Sequence, residues 1–541
     1  MVNINDFFDF EDNSTINRIA YSIEDAKYKL KVMKTMQDIG MKISIDDVGN
    51  ICGTFSGNYA KKKNLAVLSH TDSVKDGGQF DGPVGVYMAL KSAENFKNST
   101  NKQYGNLRTI ICACEESTRF SKACLGSSYI SGKLSYNQIS ALKDKKGVSF
   151  NDAIAEYKDY IFSHLADYGI DLNNIELVDK IIEESEITEA IESHIEQSEI
   201  LLDSDKKIGI IDSIGKTVRG DIRVNGKTAI VTSAKVINSL NKFALEAKLD
   251  GDTEEIIRTT VPKFNTLPDE ENIQTIYSEN SNLIKVTATG KNNHSGATPM
   301  DKRQDAVLGM SDLILQLDNL QTENSNLNFE FYQTATEGWG ANQIQDKADL
   351  LLKVTPSASV GIVNSFAEDI TEKSNITFNI SDVDKAEVQK TPSSELFVDI
   401  RQQYPIKGKE TKDRVYNVFK DLQEEYDNGQ DSISFKITSM DDPVKTDTQL
   451  LNNIKQICDE KNVPCQIMHS WPGHDVACIL LPNNGIGKKI LFFIPSSGGS
   501  HNPNEKTTKE AIELGTDVYS TLITHRMNEF QKVYEKEEST R

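Results

Sequence analysis

Short, almost wholly apolar runs alternate with amphipathic stretches along this chain. NLAVLSH (64–70), LRTIICACEE (107–116) and ILFFIPSS (490–497) have the composition of strands buried on both faces, each bounded by turn-forming residues. Between the first two, GVYMALKSAENF (85–96) has helical spacing, so strand, helix and strand predict a βαβ arrangement and a partly parallel sheet. Upstream, residues 14–40 predict a helix or pair of helices, with Ser22 before a Glu-rich first turn and Gly40 as the stop. MKISIDDVGNICGTFSG (41–57) then alternates like strand, turn and strand. The charged amphipathic stretch over about 150–203, ending ESHIEQSEILLD, predicts a long helix.

From roughly 207 to 400 the pattern changes. Strand-like IGIIDSI, LIKVTATG and SELFVDIR and helical DAVLGMSDLILQLDNL are separated by polar interruptions at 262–282 and 321–347. The earlier pattern resumes with TDTQLLNNIKQICDEKN (446–462) and ACILLP (477–482). A chain of 541 residues exceeds what one core usually supports. The predicted fold class is α/β: a catalytic domain (1–206 and 402–541) with a mixed, mostly parallel sheet flanked by helices, plus an inserted smaller α+β domain (207–401).

Composition narrows the function classes. Hydrophobic residues at 38% and charged residues at 26% describe an ordinary soluble globular protein. A formal charge of −21 argues against nucleic acid as partner, and the one tight basic run, Lys61–Lys63, reads as a solvated loop. The start lacks the basic and apolar regions of a signal peptide, and no apolar stretch approaches membrane-spanning length, so a cytoplasmic protein without a membrane partner is expected. Seven scattered cysteines without a C-x-x-C pair suit reduced thiols, with Cys112 and Cys114 as small core residues.

Candidate chemistry gathers in SHTDSVKDGGQFDGP (69–83), a strand end and loop with one His and three Asp. Such a loop is either solvated or built to hold something positive. Three apolar strands end in potential ligands: His70, the Glu115–Glu116 pair, and the loop bearing His501. In an open α/β sheet these carboxyl ends can meet in one crevice. Asp81, and His194 at the end of the predicted long helix, complete a set of three imidazoles and two carboxylates. Taken singly, each residue is more often surface or core. Together they suit a pair of divalent ions (zinc, manganese, nickel or cobalt) with one Asp shared. Four positive charges against two carboxylates favour an anionic small-molecule substrate. Asp72 is placed to accept the other ring N–H of His70, and Glu115 to carry a proton.

SHTDSVKDGGQFDGPVGV, EESTRF…LGSSYISGKL, ESHIEQSEILL, NNHSGATPMDKRQDA, FVDIR, GHD and SHNP occur in an order that resembles the metal-dependent amidase/hydantoinase/carbamoylase family. That family includes N-carbamoyl-L-amino acid hydrolases, ureidopropionases and allantoate amidohydrolases, within the clan of aminoacylases and metallo-carboxypeptidases. The resemblance spans most of 14–525. It implies a bimetallic site with Asp81 bridging, His70 and His194 on one ion, Glu116 and His501 on the other, and Glu115 as general base. It also implies that His294 reaches the oxyanion from a partner subunit, hence a homodimer with the smaller domain as dimerisation or lid domain. Arg401 would grip the substrate carboxylate, and Gln197 and His474 would lie near the substrate.

The chain departs from the family in length, with surplus near 220–282, 321–372 and 381–394. The family's N-V-I-P-G stretch before D-I-R is replaced by a longer one without Pro-Gly, where Asn379 is the nearest equivalent. HIEQS stands where HIEQG is usual. An imidazole at 194, where the clan's peptidases usually carry a carboxylate, favours the amidase branch over an aminoacylase or dipeptidase. A non-catalytic binder retaining the fold is the reading from another class. No G-x-S-x-G elbow supports a serine hydrolase.

Overall fold

Apolar runs in this chain become strands where they are bounded by turns, and the longest are central. The structure, a computed structural model, describes residues 1–12, 14–57, 64–99, 105–183, 186–247, 257–269, 272–278, 282–336, 342–403, 410–427, 429–441, 443–479 and 488–539. The Lys61–Lys63 run lies outside them, as does 477–482 from residue 480 on; its start belongs to a helical turn, Asp475–Cys478. The chain divides into two compact units, Met1–Ile214 with Val444–Arg541, and Gly215–Pro443.

In the first unit, helix α1 (Ile23–Asp38) opens at Ser22, whose hydroxyl accepts the Asp25 N–H at 3.2 Å, and stops before Gly40 at φ +86°. Such a cap contributes about 1 kcal/mol. Strands β1 (Lys42–Ile45) and β2 (Ile51–Phe55) form an antiparallel hairpin, followed by β3 (Asn64–His70), helix α2 (Pro83–Ser99) and β4 (Asn106–Cys112). Then come β5 (Ile175–Leu177), β6 (Glu189–Ile195) and β7 (Ile208–Ile214). Among the described residues the sheet runs Val444–Lys445, β7, Lys488–Ile494, β6, β3, β4, β2, β1, β5, with Cys465–Ser470 beside β7. The strand at 488–494 thus lies between β6 and β7. The neighbours 488–494, β6, β3 and β4 are mutually parallel, so their carboxyl ends share one edge. Their side chains, such as Leu65, Val67, Ile111, Ile191 and Phe492, are buried between flanking helices.

The second unit is α+β. One four-stranded antiparallel sheet orders Asp431–Asp441, Lys216–Gly226, Ser393–Gln402 and Ile257–Thr266; another orders Asn328–Ala335, Lys347–Thr355, Asn282–Thr289 and Thr377–Asp382. Both share one apolar core with the helices Ala229–Glu246 and Ala306–Glu323, through residues such as Val218, Leu240, Phe264, Val286, Leu313, Leu350 and Ile400.

Three expectations are corrected. The stretch 150–203 is not one helix: helix Phe150–His164 ends early, and His194 sits on a buried strand, β6. IGIIDSI, expected in the inserted domain, is β7 of the large sheet, antiparallel to 488–494. Residues 402–443, expected in the catalytic domain, belong to the second unit, because Asp431–Asp441 pairs with Thr217–Gly226. The surplus segments are not only loops. Ile273–Tyr277 and Lys385–Gln389, from two of them, pair with each other as an antiparallel ribbon.

Candidate metal centre

Each of the four parallel strands delivers a polar side chain to the shared edge. His70 is the last residue of β3, and His194 the penultimate one of β6. Glu115 and Glu116 follow β4, and His501 lies in the loop after 488–494. Asp81 comes from the loop ahead of α2. His70, Asp81 and His194 place ligand atoms within 4.8 Å of one another, and so do Asp81, Glu116 and His501. All five are buried and Asp81 is common to both groups. Gly82, at φ +83°, packs beneath the His70 ring; a Cβ there would lie 2.5–2.8 Å from three of its atoms.

The hydrogen bonds fix what these groups offer. His70 Nδ1 faces the Asp72 carbonyl at 3.1 Å and the Asp72 carboxylate at 3.7 Å; His194 Nδ1 faces the Ile195 carbonyl at 3.0 Å. Oxygens of this kind only accept, so each Nδ1 carries the proton and a neutral ring turns its Nε2 lone pair inward. The two Nε2 atoms are 3.3 Å apart, and Asp81 Oδ1 lies 3.2 Å from that of His194 and 3.7 Å from that of His70. Asp81 Oδ1 is buried and accepts no hydrogen bond. With both rings neutral, three lone pairs converge, which is the arrangement of ligands about a cation, and imidazole nitrogen with carboxylate oxygen suits a divalent transition metal. His501 Nε2, 3.0 Å from Glu116 Oε1 and 3.7 Å from Asp81 Oδ2, builds the second group.

Supporting contacts hold these ligands. Asp72 accepts the backbone N–H groups of Glu115 (3.2 Å) and Glu116 (3.0 Å), tying β3 to the turn after β4. Asp72 therefore positions ligands, and its own backbone carbonyl, nearer than its carboxylate, fixes the His70 tautomer. Asp81 Oδ2 accepts from Gln197 Nε2 at 2.6 Å and from the Ser500 hydroxyl. Cys114, Gln197 and His501 adopt positive φ (53°, 64° and 66°), backbone strain of the kind that collects at functional sites. Glu196 closes the following helical turn by accepting from Ile200 and Leu201 N–H, and Ser198, the departure from HIEQG, donates its hydroxyl to Glu196. His474 packs edge-on against the His194 ring, centroids 4.8 Å apart.

Negative charge dominates. Burial alone would lower the His70 pKa, but Glu115, Asp72 and Asp81 outweigh it and raise it well above the usual imidazole value. Burial raises Glu115, which is only partly offset by His70 and reinforced by Glu116 and Asp475. Glu115 is 12% exposed; its Oε1 accepts the Cys124 thiol at 3.3 Å and its Oε2 lies 4.0 Å from His70 Nε2. Sequence reasoning missed three buried carboxylates. Glu192 accepts the Val476 N–H at 2.7 Å, Asp475 accepts the Ser127 hydroxyl at 2.6 Å, and Glu505 accepts the N–H groups of Phe80 and Asp81. Burial pushes Glu505 up to about 8 and Asp475 to about 6; at the β1–β2 turn it pushes Asp46 to about 7.

These shifts share one sign. Without metal the folded chain holds protons that the unfolded carboxylates have lost above about pH 4, so stability falls as pH rises towards the folded values. The raised His70 and His501 act in the same direction: their contribution is full below about 6.5 and is lost as pH passes their folded values. The Tm of the metal-free protein is expected to fall between about pH 5 and pH 8, and Mn²⁺ to flatten or reverse that slope. A metal-free Tm that climbs across this interval contradicts the assignment.

The remaining candidates lie in the second unit. His294 Nδ1 accepts the N–H groups of Gly296 (3.0 Å) and Ala297 (2.9 Å), so Nε2 carries the proton and His294 is a donor. Arg401 is not on the surface: 2% exposed, it pairs through Nε and one terminal nitrogen with the Asp399 carboxylate at 2.6 and 2.9 Å, leaving NH1 outside that pair. Directly across the sheet from Arg401, Arg258 donates to the Gly296 and Ala297 carbonyls, a neighbour that sequence reasoning did not single out. Asn379 is not brought together with Arg401; it is exposed on the edge strand of the other sheet, paired with Thr287.

Comparison with known proteins supplies the context. Ureidoglycolate hydrolase of Oryza sativa subsp. japonica is 24% identical over 515 residues, covering 94% of this chain and 80% of its own. N-carbamoyl-L-amino-acid amidohydrolase of Pseudomonas sp. (strain NS671) is 22% identical over 514 residues, 94% and 93% of the two chains. A solved amidase of the hydantoinase/carbamoylase family from Burkholderia multivorans shares the fold, with TM-score 0.53 and 17% identity over 95% of this chain and 93% of that one. The resemblance drawn from the motifs is borne out by these relatives. The sequence profile of peptidase family M20/M25/M40 matches residues 66–525, a span that takes in all five candidate ligands and both units, and the chain belongs to that family.

Proposed function

We propose that the protein is a two-metal amidohydrolase that cleaves the carbamoyl (ureido) or related amide C–N bond of a small carboxylate-bearing substrate such as an N-carbamoyl-L-amino acid. The observation that carries this reading is the convergence of two imidazole lone pairs on the unpartnered oxygen of Asp81. Relatives that act on ureidoglycolate and N-carbamoyl-L-amino acids support the substrate class.

His70 and His194 would hold one divalent ion (zinc, manganese, nickel or cobalt), Glu116 and His501 the other, and Asp81 both. When bound, such ions acidify water and polarise a carbonyl oxygen. Glu115 takes the proton of the attacking water at Oε2 as the water adds to the carbonyl carbon. It returns that proton to the nitrogen as the C–N bond breaks. The thiol of Cys124 holds Oε1, which aims the other oxygen. Arg401, whose Nε and one terminal nitrogen are held by Asp399, would take the substrate carboxylate. In a homodimer, the partner subunit's His294 would donate from Nε2 to the oxyanion. Gln197, on Asp81, and His474, against His194, would lie near the substrate. No helix among the described residues is long and apolar enough to cross a membrane, and we place the enzyme in the cytoplasm with a soluble substrate.

The test is a panel of N-carbamoyl amino acids, ureidoglycolate, allantoate, N-acyl amino acids and dipeptides, with metal-reconstituted enzyme. Turnover is expected on ureido substrates and is abolished by a chelator. Turnover confined to acyl or dipeptide substrates would move the assignment to an aminoacylase or dipeptidase. Two bound ions per chain without turnover on any amide would make the protein a binder.

A further inference from the structure

The shared ligand of the candidate centre, Asp81, sits on an irregular loop rather than on a strand, so something other than the sheet must fix it. We infer that Glu505 is the residue that positions Asp81, an inference that rests on the two-metal reading above. Glu505 Oε1 accepts the backbone N–H of Phe80 at 2.8 Å and of Asp81 at 2.9 Å. One carboxylate oxygen thereby holds the two peptides on either side of the Phe80 α-carbon, across a sequence gap of more than 400 residues.

Three further observations support this role. Glu505 is 3% exposed, and its Oε2 has no hydrogen-bond partner, so the side chain is kept buried at an electrostatic cost that its Oε1 contacts alone repay poorly. Gly78 in the same loop leaves the space Glu505 occupies: a Cβ there would lie 2.6 Å from Glu505 Cβ and Oε1 and 2.7 Å from Cδ. The segment carrying Glu505 is itself tied by hydrogen bonds. It is closed at its base by paired backbone hydrogen bonds between Ser497 and Lys506 (2.8 and 2.9 Å), and braced by Asn502 Nδ2 on the Gly498 and Gly499 carbonyls. This one loop presents His501 to the site directly and, through Glu505, sets the height of Asp81. A misplaced shared carboxylate weakens both ions at once, since groups supporting a ligand typically contribute 10–100-fold to metal affinity.

Mn²⁺ titration by calorimetry, with metal counted by mass spectrometry, tests this on the full chain. Glu505→Ala is expected to weaken Mn²⁺ binding about tenfold or more, whereas Glu505→Gln, whose amide oxygen can still accept both N–H groups, stays within about threefold of wild type. Gly78→Ala should weaken binding by displacing Glu505, yet add little in a Glu505→Gly background, where both the Cβ it would meet at 2.6 Å and the carboxylate are gone. Wild-type affinity and stoichiometry in Glu505→Ala, or Gln falling as far as Ala, overturns the inference. If Glu505→Ala does not fold, the contrast between a weakened Gly78→Ala and a preserved Glu505→Gln decides, and equal affinities in those two overturn it. Wild-type protein that takes up no Mn²⁺ refutes the two-metal reading itself.

Discussion

Glu115→Gln is expected to lower kcat by about 10³-fold, inside the ~10²–10⁴ range of a positioned general base, while two divalent ions stay bound per chain. The separation follows from geometry. The backbone N–H of residue 115 goes to Asp72, the side-chain oxygen on the Cys124 side still accepts the thiol, and Glu116 is untouched. Only the proton-accepting oxygen is exchanged for an amide. KM should change little, because Glu115 is assigned no part in holding the substrate. Steady-state kinetics with metal analysis on the same sample checks both halves. Turnover within fivefold of wild type removes Glu115 from the chemistry; loss of an ion makes it a ligand instead.

Asp81→Asn should abolish loading of both sites and cost about 10³-fold or more in activity, the loss of several kcal/mol of charge stabilisation. The same change should lower the Tm of the metal-free protein, because the Asp81 charge is one of those that raise His70 and His501. In the wild type Asp81 Oδ2 accepts from Gln197 and Ser500, while Oδ1 lies 3.2 Å from Nε2 of His194 and 3.7 Å from that of His70. An Asn whose oxygen keeps the first pair turns uncharged N–H groups towards the second, so the attraction that raises His70 and lowers Asp81 is lost. Thermal melts of metal-free wild type and variant, beside metal counts, test the argument. Two ions retained by Asp81→Asn would remove the residue from the shared position.

Much of the centre could be read from the chain because its strands are buried on both faces and so appear as plain apolar runs ending in ligands. β6 broke that rule. EAIESHI carries Glu189, Glu192, Ser193 and His194 on a fully buried strand, and each charge is met far away in sequence: Glu189 by Arg526 at 2.6 and 2.8 Å, Glu192 by the Val476 N–H. Local pattern sees only an amphipathic, helix-like stretch. Glu505 was invisible for the same reason, a Glu in a polar run whose burial depends on partners more than 400 residues earlier. The domain boundary was misplaced at 401 because pairing of Asp431–Asp441 with Lys216–Gly226 is likewise long-range. Asn379 was chosen for its place before D-I-R, and an inserted ribbon strand, Lys385–Gln389, carries that neighbourhood onto another sheet.

The strand at 488–494 fills a slot between β6 and β7 rather than adding to an edge. A nascent chain that has emitted everything up to β7 therefore holds two open strand borders in the middle of its sheet, sticky surfaces awaiting a late segment. That same segment brings His501. The group of Asp81, Glu116 and His501 is therefore assembled only when the slot is filled, whereas His70, Asp81 and His194 all precede the segment that fills it.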